Sequence, residues 1–599
     1  MKNIIKGKNK RGKFNFTALK LFFSLIGFLL LIPSLSFAAP VIFYTDITSG
    51  PNTGGENNNG IYLSIFGKGF GTVKGTSTVK INGTEVATYK QWGAQSRVFD
   101  SHGIRVITVQ PGANVSGGPI VVTVNGEVSN NDHTFTVRSG DIFFTDWNNG
   151  NDANDGSFGN PKKSAQAVFD DRANFGPGDT IILMGGNYEQ KQDGRDYFMI
   201  FEDYPIGSEN NPTTVMGYPG QDVFIDMRTA NPSGGYALFG AYTVSSQNEG
   251  LVLSNFRGDS GGDSALIMRE TAYVRLVNAE IEGMSKTGSG TGMISSHGDY
   301  WKIFGNEIHN SGENKFYHAI YWSDQGHDNE IAWNYVHNIR GGRGLQTYDA
   351  GPGPFYNYTI HDNIWHDIDR DAMGFGGPST TGFKIYNNII YRTGLGTAPY
   401  GGGDGGNGGS SGIRFGTSGT VAEVYNNTLF DNHSFSGAFF LESFSSLTIK
   451  NNVIFANTCN RNDSSGKDPA DPAGCTDSNG QYFYNDFGKD TSKITASNNV
   501  WYSSIQPPRQ AAPSWDTNPI ILNPQFVDPT QPARNFHLQP SSPVINVGAP
   551  TSITRDFDGT IRPQGNAFDI GAYEFCASNC PVVDTIPPGI PTGFNVTVK

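Results

Sequence analysis

Charged side chains are scarce in this sequence, at 16% of 599 residues, while aromatic residues reach 12%. A disordered chain has many charges and few aromatic residues, so that class of protein is excluded. The 77 glycines follow no Gly-X-Y period, which excludes a collagen triple helix. Few stretches keep a helical period of apolar residues, which argues against a helical bundle or a coiled coil. A large, glycine-punctuated, β-rich protein remains.

Long apolar segments are also rare. The longest apolar run, residues 21–32, is shorter than the ~20 residues that a membrane-spanning helix needs, and no later segment could span a membrane. Seven basic residues precede this run, and the small-residue site SFAA follows it at residues 36–39. The layout predicts a secretory signal peptide over residues 1–39, and hence a secreted, periplasmic or cell-surface protein. An uncleaved membrane anchor is the alternative.

Basic residues are fewer than acidic ones. Residues 1–39 carry seven basic and no acidic side chains, so their removal moves the net charge from −13 to −20. A surface of this charge repels nucleic acid and anionic lipid, so we expect neither as a partner. We expect a monomer, to which an acidic polymer could still bind, but only in a locally basic groove.

Only four cysteines are present, in two close pairs, Cys459 with Cys475 and Cys576 with Cys580. In an exported protein each pair is expected to form a local disulfide. A zinc site is the alternative, but no histidine lies beside either pair.

Residues 40–138 alternate short strand-like runs with turns of Gly, Asn and Pro, which predicts a small β-sandwich. The run GKGFG at residues 67–71 and the ending VVTVNGEVSNNDHTFTV resemble IPT/TIG immunoglobulin-like domains. In secreted enzymes, the resemblance implies a spacer or a carbohydrate-binding accessory domain.

From residue 141 onward the sequence repeats, mostly every 25–28 residues, which with short β runs predicts a solenoid. A small residue precedes an aliphatic one in each repeat, beginning at Ala237, Ala265, Gly292, Ala319, Gly344, Ala372, Gly412 and Gly437. Asparagines form a second ladder at Asn306, Asn334, Asn363, Asn388, Asn427, Asn452 and Asn499. Stacked asparagine side chains can hydrogen-bond along a solenoid, which explains this ladder without catalysis.

The two ladders together resemble the parallel β-helix superfamily of polysaccharide lyases, hydrolases and epimerases. The expected fold is therefore all-β, with an immunoglobulin-like β-sandwich followed by a right-handed parallel β-helix over residues 141–545. Residues 546–583 contain RDFDGTIRPQGNAFDIGAYEF and resemble a cap found after secreted β-helix domains, in which we expect Arg562 and the acids to form a structural network. Residues 584–599 resemble the first strand of a fibronectin type III domain, which indicates either a fragment or a disordered tail.

Histidine and tryptophan concentrate in one part of the repeat, since six of 11 histidines and four of eight tryptophans lie between residues 301 and 366. Aligning the strands there puts His318, Arg343 and Asp371 at one edge of an open face, provided that each strand begins after these residues. The same alignment puts Tyr321, Gln346 and Arg414 along the middle of the face. The small residues Ala319, Gly344, Ala372 and Gly412 should share one ladder and face outward, leaving room for a polymer.

This patch suits β-elimination on a uronate. The reaction removes the proton next to a carboxylate and expels the glycosidic oxygen, so the carboxylate must first be neutralised. Arg343 or Arg414 can do this as a bidentate partner, and His318 or Tyr348 is the available base. We predict a catalytic group of His318, Arg343 and Tyr348, with Tyr321, Gln346, Asp371 and Arg414 binding sugar.

Three alternatives stay open. Many β-helix lyases use a calcium ion with a Lys or Arg base, and Lys315 and Asp349 keep that version possible, so the expected cofactor is none or Ca²⁺. A glycoside hydrolase or uronate epimerase would use paired carboxylates, for which Asp367, Asp369 and Asp371 are available. A non-catalytic adhesin or glycan-binding solenoid predicts even polar faces without a concentrated His, Tyr and Arg patch.

Overall fold

The computed structural model describes residues 39–189, 197–201, 206–228, 237–241, 249–261, 264–283, 292–311, 316–348, 353–377, 379–395, 411–432, 437–456, 483–486, 488–504, 508, 510–530 and 534–577. The predicted signal peptide, apart from its last residue, and the segment 584–599 lie outside these residues. So do Cys459, Cys475 and Cys580, and both disulfides therefore stay predictions.

Residues 41–137 form two sheets that share one apolar core. One is antiparallel, in the order Val41–Thr45, Leu63–Lys68, Arg105–Gln110 and Thr88–Gln95. The other has the order Ser49–Gly50, Thr134–Val137, Gly118–Val124, Thr78–Ile81 and Thr84–Glu85, with Glu127–Val128 paired to Gly118–Val124. Ile65 of the first sheet and Val122 of the second are fully buried in the same cluster. A short helix, Phe99–His102, and a 3₁₀ turn, Glu56–Asn58, complete this sandwich.

Three parallel sheets follow, and their strands alternate along the chain as the coils of a β-helix. Sheet 1 consists of Ile142–Thr145, Thr180–Leu183, Thr213–Gly217, Glu249–Ser254, Ala272–Val277, Lys302–Phe304, Glu330–Ala332, Thr359–His361, Phe383–Tyr386, Val421–Tyr425, Ser446–Lys450 and Ile494–Ser497. Sheet 2 consists of Gly186–Tyr188, Val223–Asp226, Arg257–Asp259, Glu280–Glu282, Glu307–His309, Tyr335–Ile339, Ile364–Ile368, Ile389–Thr393, Thr428–Phe430, Val453–Ala456 and Val500–Ser503. Sheet 3 consists of Tyr197–Ile200, Ala237–Ala241, Leu266–Met268, Gly292–Ser296, His318–Ser323, Leu345–Tyr348, Met373–Phe375, Ile413–Gly416, Phe439–Ser443 and Tyr484–Asn485. The predicted parallel β-helix is thereby confirmed.

Smaller elements surround these coils. A helix, Ala165–Asp170, begins at Ser164, whose hydroxyl accepts a hydrogen bond from the Ala167 backbone N–H, and it packs its apolar face into the solenoid core. Gly326–His327, Phe355–Tyr356 and Thr380–Thr381 form a short three-stranded sheet between sheets 3 and 1. A 3₁₀ turn, Thr491–Lys493, and an antiparallel pair, Phe526–Asp528 with Asn535–Leu538, lie near the C-terminal end. In the part of the chain that is described, no helix is long and apolar enough to cross a membrane.

The asparagine ladder runs through the interior, as predicted. In each step the side-chain oxygen of one asparagine accepts hydrogen bonds from the backbone N–H and the side-chain amide of the asparagine one coil earlier. Asn388 Oδ1, for example, accepts from Asn363 N at 3.2 Å and from Asn363 Nδ2 at 3.0 Å. Asp516 ends the ladder by accepting from Asn499 Nδ2 and Trp501 Nε1. The ladder satisfies buried backbone groups at the corner where each coil turns from sheet 1 to sheet 2.

The small-residue ladder is confirmed for four coils but points the other way. Ile320, Leu345, Met373 and Ile413 pair in register, which aligns Ala319, Gly344, Ala372 and Gly412 before them. The predicted outward orientation is wrong: Ala319 belongs to the buried core, and a Cβ on Gly344 would lie 2.7 Å from the ring of Trp365. A Cβ on Gly412 would likewise lie 2.8 Å from Leu429 Cδ2, so these residues are small because they face the packed interior.

The sandwich and the C-terminal segment cover two sides of the solenoid. Apolar residues of the sandwich share a buried cluster with sheet 1, where Arg275 donates hydrogen bonds to the carbonyls of Thr45 and Asp46. Residues 526–575 pack on the outer face of sheet 2. Lys68 of the sandwich meets Asp558 of the C-terminal segment in a buried ion pair at 2.5 Å. Parts of sheets 1 and 2 are therefore covered, and the cleft described below lies on sheet 3.

The C-terminal segment contains the predicted structural network. Arg562 is fully buried and its guanidinium donates to Glu574 Oε2 at 3.0 Å and to the Gly571 carbonyl at 2.8 Å. Corner asparagines of the solenoid hold the segment, since Asn387 donates to the Arg555 carbonyl and Asn451 to the Ala549 carbonyl.

Candidate active site

A cleft of about 540 Å³ opens on sheet 3 across four neighbouring strands, His318–Ser323, Leu345–Tyr348, Met373–Phe375 and Ile413–Gly416. Register places Tyr321, Gln346, Gly374 and Arg414 side by side, one on each strand. Six of the seven predicted site residues line the cleft, namely His318, Tyr321, Arg343, Gln346, Tyr348 and Arg414. The other described lining residues are Phe316, Arg370, Phe375, Gly374, Gly376, Gly377 and Gly416.

Arg343 is a fixed cation in the cleft. It precedes its strand, and its side chain lies across Gly374 of the next coil, where an added Cβ would sit 2.7 Å from Arg343 Cδ. Its Nε donates to Asp371 Oδ2 at 2.6 Å, and its Nη1 donates to Gln346 Oε1 at 2.5 Å. A guanidinium has five N–H groups, so three are left for a ligand. Burial lowers the pKa of Arg343, but Asp371 opposes that shift and the group stays charged.

Asp371 and Gln346 hold Arg343 in place. Asp371 is fully buried beneath the cleft, and its second oxygen accepts a hydrogen bond from Ser411 Oγ at 2.9 Å. The prediction that Asp371 binds sugar is therefore wrong, because the side chain is inaccessible and both oxygens are engaged. Gln346 lines the cleft, but its amide oxygen is bonded to Arg343 and its amide nitrogen donates to the Thr347 carbonyl at 2.6 Å.

His318 is buried as a neutral imidazole. The backbone N–H of Arg343 donates to His318 Nδ1 at 3.0 Å, so the ring proton of the neutral form is on Nε2. Burial, followed by the charges of Arg343 and Arg370, holds the pKa of His318 well below its usual value. This geometry disagrees with the predicted role of His318 as a base, because the basic nitrogen is already hydrogen-bonded. The ring can instead donate from Nε2.

Two tyrosines and two phenylalanines, Phe316 and Phe375, line the cleft. Burial raises the pKa of Tyr321 to about 12, and Asp324 and Tyr348 add to the shift, so Tyr321 stays a hydrogen-bond donor at neutral pH. Tyr348 pairs in register with Ser323 at the end of its strand and is 52% exposed, as is Phe316. Tyr348 is therefore the accessible hydroxyl of the predicted catalytic group.

Arg414 is paired across the coil with Glu442. Its Nε and Nη2 both donate to Glu442 Oε2, at 3.0 Å and 2.6 Å, and its guanidinium lies 5.1 Å from the centre of the Phe440 ring. The row of residues in register from Tyr321 to Arg414 is followed by an apolar side chain, because Phe440 is the next residue in register after Arg414. On the other side of Tyr321 the residues in register are Ser295 and then Ile267.

The described lining of the cleft does not fit a calcium site. Ca²⁺ takes six to eight oxygen ligands, usually with several carboxylates, and the lining residues that the structure describes include no Asp or Glu. The group of possible metal ligands found in the described residues, Glu280, Glu282 and His309, is on sheet 2. Lys315 and Asp349 lie outside the described residues.

The other two carboxylates considered for a hydrolase, Asp367 and Asp369, do not line the cleft. Asp367 on sheet 2 accepts from His366 and from Arg392, each at 2.6 Å. Asp369 Oδ2 accepts from the Gly341 backbone N–H.

Arg370, Phe316 and Glu442 were not among the predicted site residues. Arg370 directly precedes Asp371, which was aligned with His318 and Arg343, so the repeat spacing could have predicted that Arg370 lies near the site. Glu442 had no such signal, because a bulge shifts it out of the repeat register, as Phe415 pairs with Leu441 but Gly416 pairs with Ser443.

No protein-family model and no curated protein matches this sequence. Solved structures do match, and they include the pectate lyase Pel9A, at 16% identity over 73% of this chain and 96% of that chain, with a TM-score of 0.44. A rhamnogalacturonan lyase matches at 13% identity over 72% of this chain and 96% of that chain, with a TM-score of 0.36. A family 28 exopolygalacturonase of Yersinia enterocolitica matches at 8% identity over 81% of this chain and 98% of that chain, with a TM-score of 0.38. Similarity at this level does not indicate a reaction, which has to be inferred from the cleft.

Proposed function

We propose that this protein is a carbohydrate-active enzyme that binds a uronate-containing polysaccharide in the cleft of sheet 3 and cleaves it by β-elimination. The observation that supports this most directly is the position of Arg343. Its guanidinium is held from behind by Asp371 and Gln346, and three N–H groups remain for a ligand. A planar, preoriented cation of this kind is suited to a carboxylate.

In the proposed reaction Arg343 binds the uronate carboxylate and stabilises the charge that develops when the neighbouring C5 proton is lost. Tyr348 Oη takes that proton. The electron pair forms the C4=C5 double bond, the C4–O bond breaks, and the leaving oxygen receives the proton back from Tyr348. His318 Nε2–H and the Tyr321 hydroxyl donate hydrogen bonds to the sugar, since both side chains stay neutral.

A hydrolase fits the cleft less well. Hydrolysis needs an acid and a base on either side of the glycosidic bond, usually two carboxylates. None of the described lining residues carries a carboxylate. Asp371 is buried, and Asp367 is engaged on sheet 2.

The test is a panel of acidic polysaccharides incubated with the purified protein. We expect the absorbance of an unsaturated uronate to rise, with one new reducing end for each absorbing end. Reducing ends without absorbance would show hydrolysis instead. Retention of the protein by a polymer without either product would indicate a glycan-binding solenoid.

A further inference from the structure

The two arginines predicted to clamp uronates present different surfaces to the cleft. The partner of Arg343, Asp371, has no exposed surface, so a ligand meets only the guanidinium. The partner of Arg414, Glu442, has a side chain that is 39% exposed. Its Oε2 would be 3.5 Å from a Cβ on Gly416, a residue that lines the cleft. A ligand near Arg414 therefore meets a carboxylate as well as a guanidinium.

A β-bulge places Glu442 there. Phe415 pairs with Leu441 and Gly416 with Ser443, which leaves Glu442 as the extra residue of its strand. Bulges next to active sites typically re-aim one side chain, and here the re-aimed side chain reaches Arg414. Gly416 has no side chain to block the pair.

Arg414 is also constrained by the aromatic ring beneath it. Its guanidinium lies 5.1 Å from the centre of the Phe440 ring while Nε and Nη2 both point to one oxygen of Glu442. A sugar carboxylate that bound Arg414 would lie at close range to the Glu442 carboxylate, whose Oε2 already accepts from Arg414 Nε and Nη2. Like charges placed this closely repel strongly and select against a partner.

We propose that the subsite at Arg414 accepts a neutral sugar, and that Glu442 determines this specificity. The natural substrate is then a polysaccharide in which uronates are separated by neutral sugars, not a run of consecutive uronates. This inference rests on the proposed function, in which Arg343 binds the reacting uronate. Arg343 lies over Gly374, and only one strand spacing of ~4.8 Å separates Gly374 from Arg414, so the neighbouring sugar reaches the Arg414 subsite.

The experiment compares polygalacturonate, which has consecutive uronates, with two alternating polymers, the rhamnose–galacturonate backbone of rhamnogalacturonan and hyaluronan. The two alternating polymers differ in uronate stereochemistry. We measure kcat/KM from the unsaturated-uronate absorbance, and binding from retardation in polymer-containing native gels. For the wild type we expect at least one alternating polymer to be cleaved about tenfold better than polygalacturonate.

Glu442→Gln should raise kcat/KM on polygalacturonate by about fivefold or more and change it on the alternating polymer less than about twofold. Glu423→Gln, which removes the same charge from sheet 1, is the matched control and should change neither. Polygalacturonate cleaved as well as both alternating polymers, with no effect of Glu442→Gln, would overturn the inference. If no polymer is cleaved, the proposed reaction is wrong, and gel retardation then tests the subsite by itself. Stronger retardation of the wild type by polygalacturonate than by both alternating polymers rejects the neutral-sugar subsite. Weaker retardation by polygalacturonate than by both alternating polymers supports it.

Discussion

At the scale of single residues, the cleft shows how hydrogen bonding separates residues that contact substrate from residues that position others. Asp371 and Gln346 use their polar atoms on Arg343 or on backbone groups. His318 uses Nδ1 on the backbone of Arg343. The Tyr348 side chain, in contrast, is half exposed at the cleft. The proton-transfer step is therefore assigned to Tyr348.

Tyr348→Phe tests that assignment. The substitution removes the hydroxyl and keeps the ring, so we expect turnover on a uronate polymer to fall by about a hundredfold or more, a typical effect of losing a general acid–base group. Polymer binding and the melting temperature should stay unchanged, because the side chain is half exposed. Turnover near the wild-type value would show that another group transfers the proton.

Gly374→Ala tests the position of Arg343. The added Cβ would be 2.7 Å from Arg343 Cδ and 2.8 Å from Nε, so the guanidinium must move away from Asp371. We expect kcat/KM on a uronate polymer to fall by about tenfold to a hundredfold, since catalysis depends strongly on the placement of charged groups. Gly159→Ala is the control, because nothing lies within 4 Å of its added Cβ. Equal kinetics for both variants would contradict the role given to Arg343.

At the scale of elements, the interior asparagines determine how one coil joins the next. Asn388→Ala leaves the backbone N–H of Asn363 without its acceptor in a fully buried corner, and it removes the amide that donates to the carbonyls of Ile360 and Tyr386. Each buried unsatisfied group costs about 1–3 kcal/mol, so we expect the free energy of unfolding to fall by about 3 kcal/mol in denaturant titrations. Asn187→Ala, an exposed asparagine on sheet 2, should cost less than about 0.5 kcal/mol. Similar losses in the two variants would mean that the ladder contributes nothing.

At the scale of the whole molecule, the sandwich and the C-terminal segment meet at one buried charge cluster. Asp558 of the C-terminal segment contacts Lys68 of the sandwich and His537 of the hairpin that packs on sheet 2. Burial alone would raise the pKa of Asp558, but Lys68 and His537 outweigh burial and lower it. The sandwich is therefore held against the C-terminal segment by a buried ion pair.

Lys68→Met should destabilise the protein at neutral pH by about 3–5 kcal/mol, because it leaves Asp558 buried without its main partner. Asp558 has a lowered pKa when folded, so its contribution is present above the unfolded pKa of ~3.9 and is lost as the pH falls toward the folded value. The difference in melting temperature from the wild type should thus shrink below about pH 4. Lys80→Met, at an exposed site on the sandwich, is the control. If the difference in melting temperature between Lys68→Met and the wild type does not change with pH, the Lys68–Asp558 ion pair is not the cause of that difference.

The sequence alone determined the solenoid, its asparagine ladder and the set of residues that meet on one face. It could do so because a parallel β-helix repeats its register in every coil, and the repeat is written in residue spacing. Tertiary structure decided which atoms of these residues are available to a ligand. Arg343 and Asp371 precede their strands, where strand alternation does not set side-chain direction, and Glu442 sits in a bulge that breaks the period. Lys68 and Asp558 lie 490 residues apart, and no local pattern could pair them, because only the docking of whole units brings them together.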